Sequence, residues 1–364
     1  MTAPTSQVRV MLCDDSATVR AAMARVLEAD PAIRVVARVA NGQEAVAAMA
    51  RLPAAARPQV VLLDLEMPVM DGMTALPLLL REAPRPAVIV ASALTQRGAA
   101  AAMAALRAGA ADYVPKPGAA RGGLNDPTFR AEVLAKVKGW ARMGGGPAPR
   151  AVTPPRAAPM LPLQGVRAIG LGCSTGGPQA LAGFVQGLVR PLPVPLLVVQ
   201  HMPAGFTAML ADHLHRLGRL PVAEAQDREV LRAGRLYLAP GDRHLVVEGG
   251  AGGLVARLSD APPENFCRPA VDPMLRSLAA SCGGAVLALI LTGMGQDGLA
   301  GCRAIAAAGG TVLAQDEASS VVWGMPGAVA KAGLARALLP PAGLAEQVLA
   351  ACAGRPAVSV GVGT

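Results

Sequence analysis

Asp14, Asp15, Asp64 and Lys116 form one set of residues in this chain that can do chemistry, and Ser174, His201 and Asp297 form a second. Three carboxylates with a distant lysine suit a phosphate-accepting metal site. The carboxylates repel one another until a hard cation neutralises them, and the ammonium offers a counter-charge to phosphoryl oxygens. Ser174 lies in the string Gly172-Cys173-Ser174-Thr175-Gly176. A serine with a histidine and a carboxylate suits acyl transfer: the imidazole takes the hydroxyl proton and the acid fixes the imidazole tautomer. The acidic set comes first along the chain.

The elements that must position the first set are legible as repeats. Strand-like runs VRVMLC, IRVVARV, QVVLLDL, AVIVAS and ADYV alternate with helical patterns over 17–29, 43–52, 74–83, 97–108 and 127–138. Five short β/α repeats predict a parallel sheet covered on both faces, with polar groups converging at the carboxyl ends of the strands. Asp14 and Asp15 end the first strand, Asp64 the third and Ser92 the fourth, and Lys116 follows the fifth. Asp64 is then the candidate nucleophile toward a phosphoryl donor, giving an acyl phosphate whose oxygens Ser92 would hydrogen-bond. The rival reading makes Asp15 or Ser16 a helix cap and Lys116 a solvated loop residue. Against it, every member falls at a strand end, and Lys116, Lys136, Lys138 and Lys331 are the only lysines in the chain.

For the second set, 166–172 reads as a strand, the Ser174 string as a tight turn and 177–189 as a helix. A serine on such a turn projects its hydroxyl outward, and Gly172, Gly176 and Gly177 leave room for a substrate. The same string resembles a Gly-rich phosphate loop, although its spacing is not G-x-G-x-x-G and no acid ends the next strand. His201 ends PVPLLVVQ and lies beside the Ser174 turn if those two strands are neighbours; Asp297 follows AVLALILT and the turn Gly293-Met294-Gly295. Each has a plainer reading: a loop hydroxyl, a strand-end hydrogen-bonder, and the N-cap of a helix at 298–308. Cys173 rivals Ser174 as nucleophile but sits off the centre of G-x-S-x-G. His213 and His215 fall on a predicted helix at 206–217, and His244 begins a hairpin strand within 235–259. The order Ser, His, Asp is not that of α/β-hydrolases, which predicts a different fold for similar chemistry.

With 364 residues the chain suits two domains, and 52% hydrophobic but only 2% aromatic residues predict cores of Ala, Leu, Val and Met. The net charge of +9 is spread between acids with almost no aromatic interleaving, which argues against nucleic acid as a partner. No apolar run reaches the roughly 18 residues of a membrane helix and no leading segment reads as a signal, so a cytoplasmic protein with no membrane insertion is expected. Six cysteines without C-x-x-C spacing predict neither disulfides nor zinc. The boundaries read from the sequence are a first domain over 1–138, a Pro/Gly/Arg linker over 139–165, a second domain over 166–353 and a tail over 354–364.

Residues 8–138 resemble the receiver domain of bacterial two-component response regulators. The resemblance implies a flavodoxin-like fold in which Asp64 is phosphorylated, and Asp14, Asp15, Asp64 and the Glu66 backbone carbonyl hold Mg²⁺. It also has Ser92 and Lys116 bind the phosphate, Tyr113 change rotamer, and the Lys116-Pro117 bond be cis. The later half resembles the catalytic domain of the chemotaxis response regulator protein-glutamate methylesterases, the CheB type, through GCSTGGP (172–178), QHMP (200–203), YLAPGDRHL (237–245), RPAVDPM (268–274), LTGMGQDG (291–298) and AQDEASSVVWGMP (314–326). This implies a doubly wound α/β domain with a β-hairpin insertion, a Ser174, His201, Asp297 triad, and an oxyanion site of backbone N–H groups around Thr175 or Met294. No cofactor is implied for hydrolysis. The implied substrate is a glutamate methyl ester on the cytoplasmic domain of a chemoreceptor, with deamidation of receptor glutamines as a second activity. A chemotaxis histidine kinase is the implied phosphodonor, acting on a receiver that covers the active-site face until phosphorylated. The family often carries His and Ser where this chain has Cys267 and Ala270. Rival readings of the whole are a receiver-controlled DNA-binding regulator and a nucleotide-binding or non-catalytic signalling protein.

Overall fold

Repeated Val/Leu runs between helical patterns build two separate α/β units, Met1–Ala151 and Val152–Thr364, in the computed structural model. It describes residues 7–116, 123–144, 165–250 and 253–352. The Lys116-Pro117 bond therefore lies outside the described residues.

In the first unit, strands β1 (Val8–Cys13), β2 (Ile33–Val39), β3 (Val60–Asp64), β4 (Ala87–Ser92) and β5 (Asp112–Pro115) alternate with helices α1 (Ala17–Glu28), α2 (Gly42–Arg51), α3 (Gly72–Leu79), α4 (Gln96–Arg107) and α5 (Pro127–Arg142). The strands pair in parallel in the order β2-β1-β3-β4-β5. The chain reverses direction across the sheet at β1 and β3, so the carboxyl ends carrying Asp14, Asp15 and Asp64 face one crevice. Side-chain caps start the helices: Ser16 accepts from Val19 N at 3.3 Å, and Asn41 accepts from Glu44 N at 2.9 Å. Helix α5 runs past the sequence-derived boundary at 138, because Trp140 is buried in the core and its Nε1 donates to Asp112 Oδ2 at 3.2 Å. Gly139, read as the start of a linker, lies inside this helix.

The second unit contains β6 (Ala168–Cys173), α6 (Gly177–Gly187), β7 (Leu196–Gln200), α7 (Phe206–Leu217), β8 (Val222–Glu224), β9 (Leu236–Leu238), β10 (His244–Gly250) and β11 (Gly253–Ser259). There follow α8 (Val271–Cys282), β12 (Val286–Ile290), α9 (Leu299–Ala307), β13 (Thr311–Gln315), α10 (Met325–Lys331), β14 (Leu338–Leu339) and α11 (Pro341–Ala351). Seven strands form one parallel sheet, β14-β13-β12-β6-β7-β9-β8, and β10 with β11 makes the inserted antiparallel hairpin. The chain builds outward from β6 on one side and returns to β12 on the other, so the switch lies between β6 and β12. Helix α8, which periodicity alone left unassigned, holds Pro273 in its first turn, where a missing N–H costs nothing.

Candidate functional site

At the carboxyl ends of β1 and β3, one oxygen each from Asp14, Asp15 and Asp64 lies within 4.8 Å of the others. Lys116 Nζ pairs with Asp64 Oδ2 at 2.6 Å and with Asp14 Oδ2 at 3.6 Å. Burial raises the Asp64 carboxyl above its ordinary value and Asp14 adds to this, while Lys116 opposes it. An all-oxygen donor set of this charge fits a hard divalent cation. Ser92, placed at the end of β4, is turned away from the acids: its hydroxyl donates to the Gly98 carbonyl at 2.6 Å. Tyr113 is buried beneath the Lys136 ammonium, which stands 4.8 Å from the ring centre. Glu66 is exposed, and its backbone N–H donates to Asp64 Oδ1 at 3.2 Å.

In the second unit, the pairing of Cys173 with Gln200 sets Ser174 and His201 side by side at the edge of β6 and β7. The Ser174 N–H donates to the Thr292 carbonyl at 3.0 Å, which ties the turn to the end of β12. The amide of Gln200, missed as a functional residue, crosses to the Ser174 carbonyl at 3.0 Å from a wholly buried side chain. Gly176 closes the turn at φ 74°, and a Cβ there would meet Val321 Cγ2 at 2.5 Å. The Gly177 N–H donates to the Ser174 carbonyl at 2.7 Å, so the turn itself uses an amide that a phosphate loop would need to leave free. Cys173 is wholly buried and its thiol is held far above its ordinary range by that burial. Among the described residues, neither the Thr175 nor the Met294 backbone N–H donates to another protein group, and Met294 is exposed beside them.

His201 Nε2 lies 2.7 Å from Asp297 Oδ2. Asp297 is buried, and its carboxylate accepts from the N–H groups of Val271 at 2.6 Å, Asp272 at 3.1 Å and Gly298 at 2.9 Å. It therefore caps the N-terminus of α8; Gly298 occupies the N-cap of α9. Burial alone would raise the Asp297 carboxyl, but His201 and these amides hold it below its ordinary value. Burial likewise disfavours charge on His201, but Cys267 and Asp297 outweigh it and lift the imidazole from 6.5 to about 10. With Nε2 directed at Asp297, Nδ1 is the other ring nitrogen, and it faces Cys267 Sγ at 3.4 Å. Ser174 Oγ makes no hydrogen bond to His201, so Ser174 shares the edge with the pair without joining it.

Two further residues emerge only in three dimensions. Asn265 Nδ2 donates to Asp297 Oδ1 and to Asp272 Oδ2, both at 3.0 Å, and Asp272 Oδ1 accepts from Gly301 N at 2.6 Å. For Asp272 the sequence signal was its place in the string RPAVDPM, with no role attached to it, and Asn265 sat in a loop with none. His244 and His215 are tied to the backbone. His244 accepts from Ala270 N at 3.2 Å and turns Nε2 to the Pro262 carbonyl at 3.1 Å, and His215 accepts from Val222 N at 3.3 Å.

Comparison with known proteins agrees with this division. The CheB methylesterase family model matches residues 169–348, and the response regulator receiver domain model matches residues 10–124. Protein-glutamate methylesterase/protein-glutamine glutaminase 1 of Paramagnetospirillum magneticum is 48% identical over 96% of this chain and 98% of its own. The protein-glutamate methylesterase/protein-glutamine glutaminase of Azospirillum brasilense is 49% identical over 92% of this chain and 90% of its own. The crystal structure of the Thermotoga maritima CheB methylesterase catalytic domain covers 50% of this chain and 97% of that chain, with 40% identity and a TM-score of 0.50.

Proposed function

The chain belongs to the family of CheB methylesterases that carry a response regulator receiver domain, and from that premise we propose that it is a phosphorylation-activated hydrolase of glutamate methyl esters on the cytoplasmic domains of chemoreceptors. The observation that carries the chemistry is the contact of His201 with the buried Asp297 carboxylate at 2.7 Å, set beside Ser174 at the switch of the parallel sheet.

Ser174 Oγ attacks the ester carbonyl while His201 takes its proton at Nδ1, the nitrogen left free by Asp297. For this the serine side chain turns to Nδ1, displacing the Cys267 thiol from that nitrogen. The Thr175 and Met294 N–H groups supply donors for the oxyanion, each worth about 3 kcal/mol in such sites. His201 then returns the proton to the departing methanol. Water, deprotonated by the same imidazole, cleaves the acyl-enzyme and leaves a glutamate carboxylate. The same sequence with ammonia as leaving group deamidates glutamine.

In the receiver unit Asp64 accepts the phosphoryl group from a chemotaxis histidine kinase. Asp14, Asp15, Asp64 and the Glu66 backbone carbonyl would hold Mg²⁺, which when bound offsets the charge of carboxylates and phosphate. Lys116 moves its ammonium from the Asp64 carboxylate to the phosphoryl oxygens. Ser92 exchanges the Gly98 carbonyl for a phosphoryl oxygen, and Tyr113 responds through its rotamer.

The test is methanol release from a methylated receptor cytoplasmic fragment, with Mg²⁺ and a small phosphodonor. Ser174→Ala should lose on the order of 10⁴-fold or more in rate. Asp64→Asn should keep the basal rate and lose stimulation by the phosphodonor. A Ser174→Ala chain with near-normal release would remove the nucleophile assignment.

A further inference from the structure

The turn Glu264–Cys267 touches the His201–Asp297 pair twice, and the reaction above involves it only where the serine displaces its thiol. Glu264 and Cys267 exchange both backbone hydrogen bonds, at 3.1 and 2.8 Å, and the central residues Asn265 and Phe266 have φ of 51° and 63°. This is a two-residue turn with both central positions left-handed, the geometry that favours Asn followed by Gly. Asn265 fits it. Phe266 does not: a side chain is disfavoured there, and at 94% exposure it makes no apolar contact to compensate. A turn kept in this shape against the preference of its second residue points to what its two inward side chains hold.

Those side chains hold the reactive pair from two sides. Asn265 Nδ2 bridges Asp297 Oδ1 and Asp272 Oδ2, which keeps two neighbouring carboxylates apart and fixes the plane of Asp297. Cys267 Sγ lies 3.4 Å from His201 Nδ1, and Cys267 is the one cysteine of the chain that is not buried. With Nε2–H donating to Asp297, the charged ring carries its second N–H at Nδ1, and the Cys267 sulfur is the acceptor it faces.

We propose that the Glu264–Cys267 turn is a positioning element of the hydrolase, in which Asn265 fixes the Asp297 carboxylate and Cys267 holds the resting His201 ring through Nδ1 until Ser174 takes its place. The proposal rests on the assignment of Ser174, His201 and Asp297 given above. The ionisable groups facing His201 are Asp297, from the loop after β12, and Cys267 itself. Asp272 on α8 stands behind them through Asn265, and Arg276 of α8 is engaged on the outer side of the turn by Glu264 at 2.6 Å. Removing the thiol takes away a group that favours the charged ring, so the neutral base becomes available at lower pH.

The experiment uses the intact chain and two readouts. Histidine-labelled protein followed by NMR gives the titration midpoint of His201, identified as the signal missing from His201→Gln. Methanol release gives kcat and KM against pH. In Cys267→Ala the midpoint and the acidic limb of kcat/KM should both move toward acid by about one pH unit or more, and Cys267→Ser should restore the ring to its wild-type orientation. In Asn265→Ala, kcat should fall about tenfold or more with KM unchanged. An unmoved His201 midpoint in Cys267→Ala, or an unchanged kcat in a folded Asn265→Ala chain, overturns the proposal. Should the wild type release no methanol, the hydrolase reading fails, while the NMR titration still decides whether the turn holds His201.

Discussion

His201 sits between a carboxylate on one ring nitrogen and a thiol on the other, and both favour its charged form against the cost of burial. A general base must be neutral to accept a proton, and a raised value means that the neutral form grows only as pH climbs above the usual histidine range. The expected pH profile therefore has an acidic limb of kcat/KM above 6.5, with activity rising into the alkaline region. A limb at or below 6.5 would show that the pair does not hold the ring as described. At this scale the sequence was legible where a residue ended a strand: Ser174, His201, Asp14 and Asp64 all stand at carboxyl ends. It was not legible where side chains converge from distant segments. Asn265 reaches Asp297 across more than thirty positions, and Ser92, placed correctly on its strand, points to Gly98 because a hydroxyl rotor answers to its nearest carbonyl.

Helix α8 shows how one element can serve folding and the site together. Its first amides donate to Asp297, so that carboxylate stabilises the helix N-terminus while it orients His201. Asp297→Ala should therefore lower folding stability by about 2–3 kcal/mol in denaturant titrations, since it leaves buried donors unsatisfied. Ser174→Ala, whose hydroxyl has no such role, should leave the midpoint unchanged; equal midpoints for both variants would contradict the capping role. Gly176→Ala should destabilise by about 1–2 kcal/mol or more, because a Cβ is disfavoured at φ 74° and would press into Val321. The β/α repeats were readable from periodicity because parallel strands buried on both faces are continuous apolar runs. The end of α5 was not, since Gly139 resembles a breaker and only the packing of Trp140 shows that the helix continues.

Across the whole molecule, the two units each carry their own core and their own reactive cluster. The proposed restraint of the hydrolase by the receiver is tested by rates: residues 152–364 alone should release methanol faster than the unphosphorylated intact chain, and Asp64→Asn should leave the intact chain at its basal rate with any phosphodonor. Equal rates for the fragment and the unphosphorylated chain would argue that the receiver does not restrain the hydrolase. The chain has only two tryptophans, and they fall one to each unit: Trp140 donates to Asp112 inside the receiver core, while Trp323 pairs with the Gly293 segment and donates to the Gln315 carbonyl at 3.1 Å. The molecule thus carries one tryptophan in each unit, so that, with excitation at the red edge where tyrosine does not absorb, replacing either by Phe isolates the tryptophan emission of the other unit.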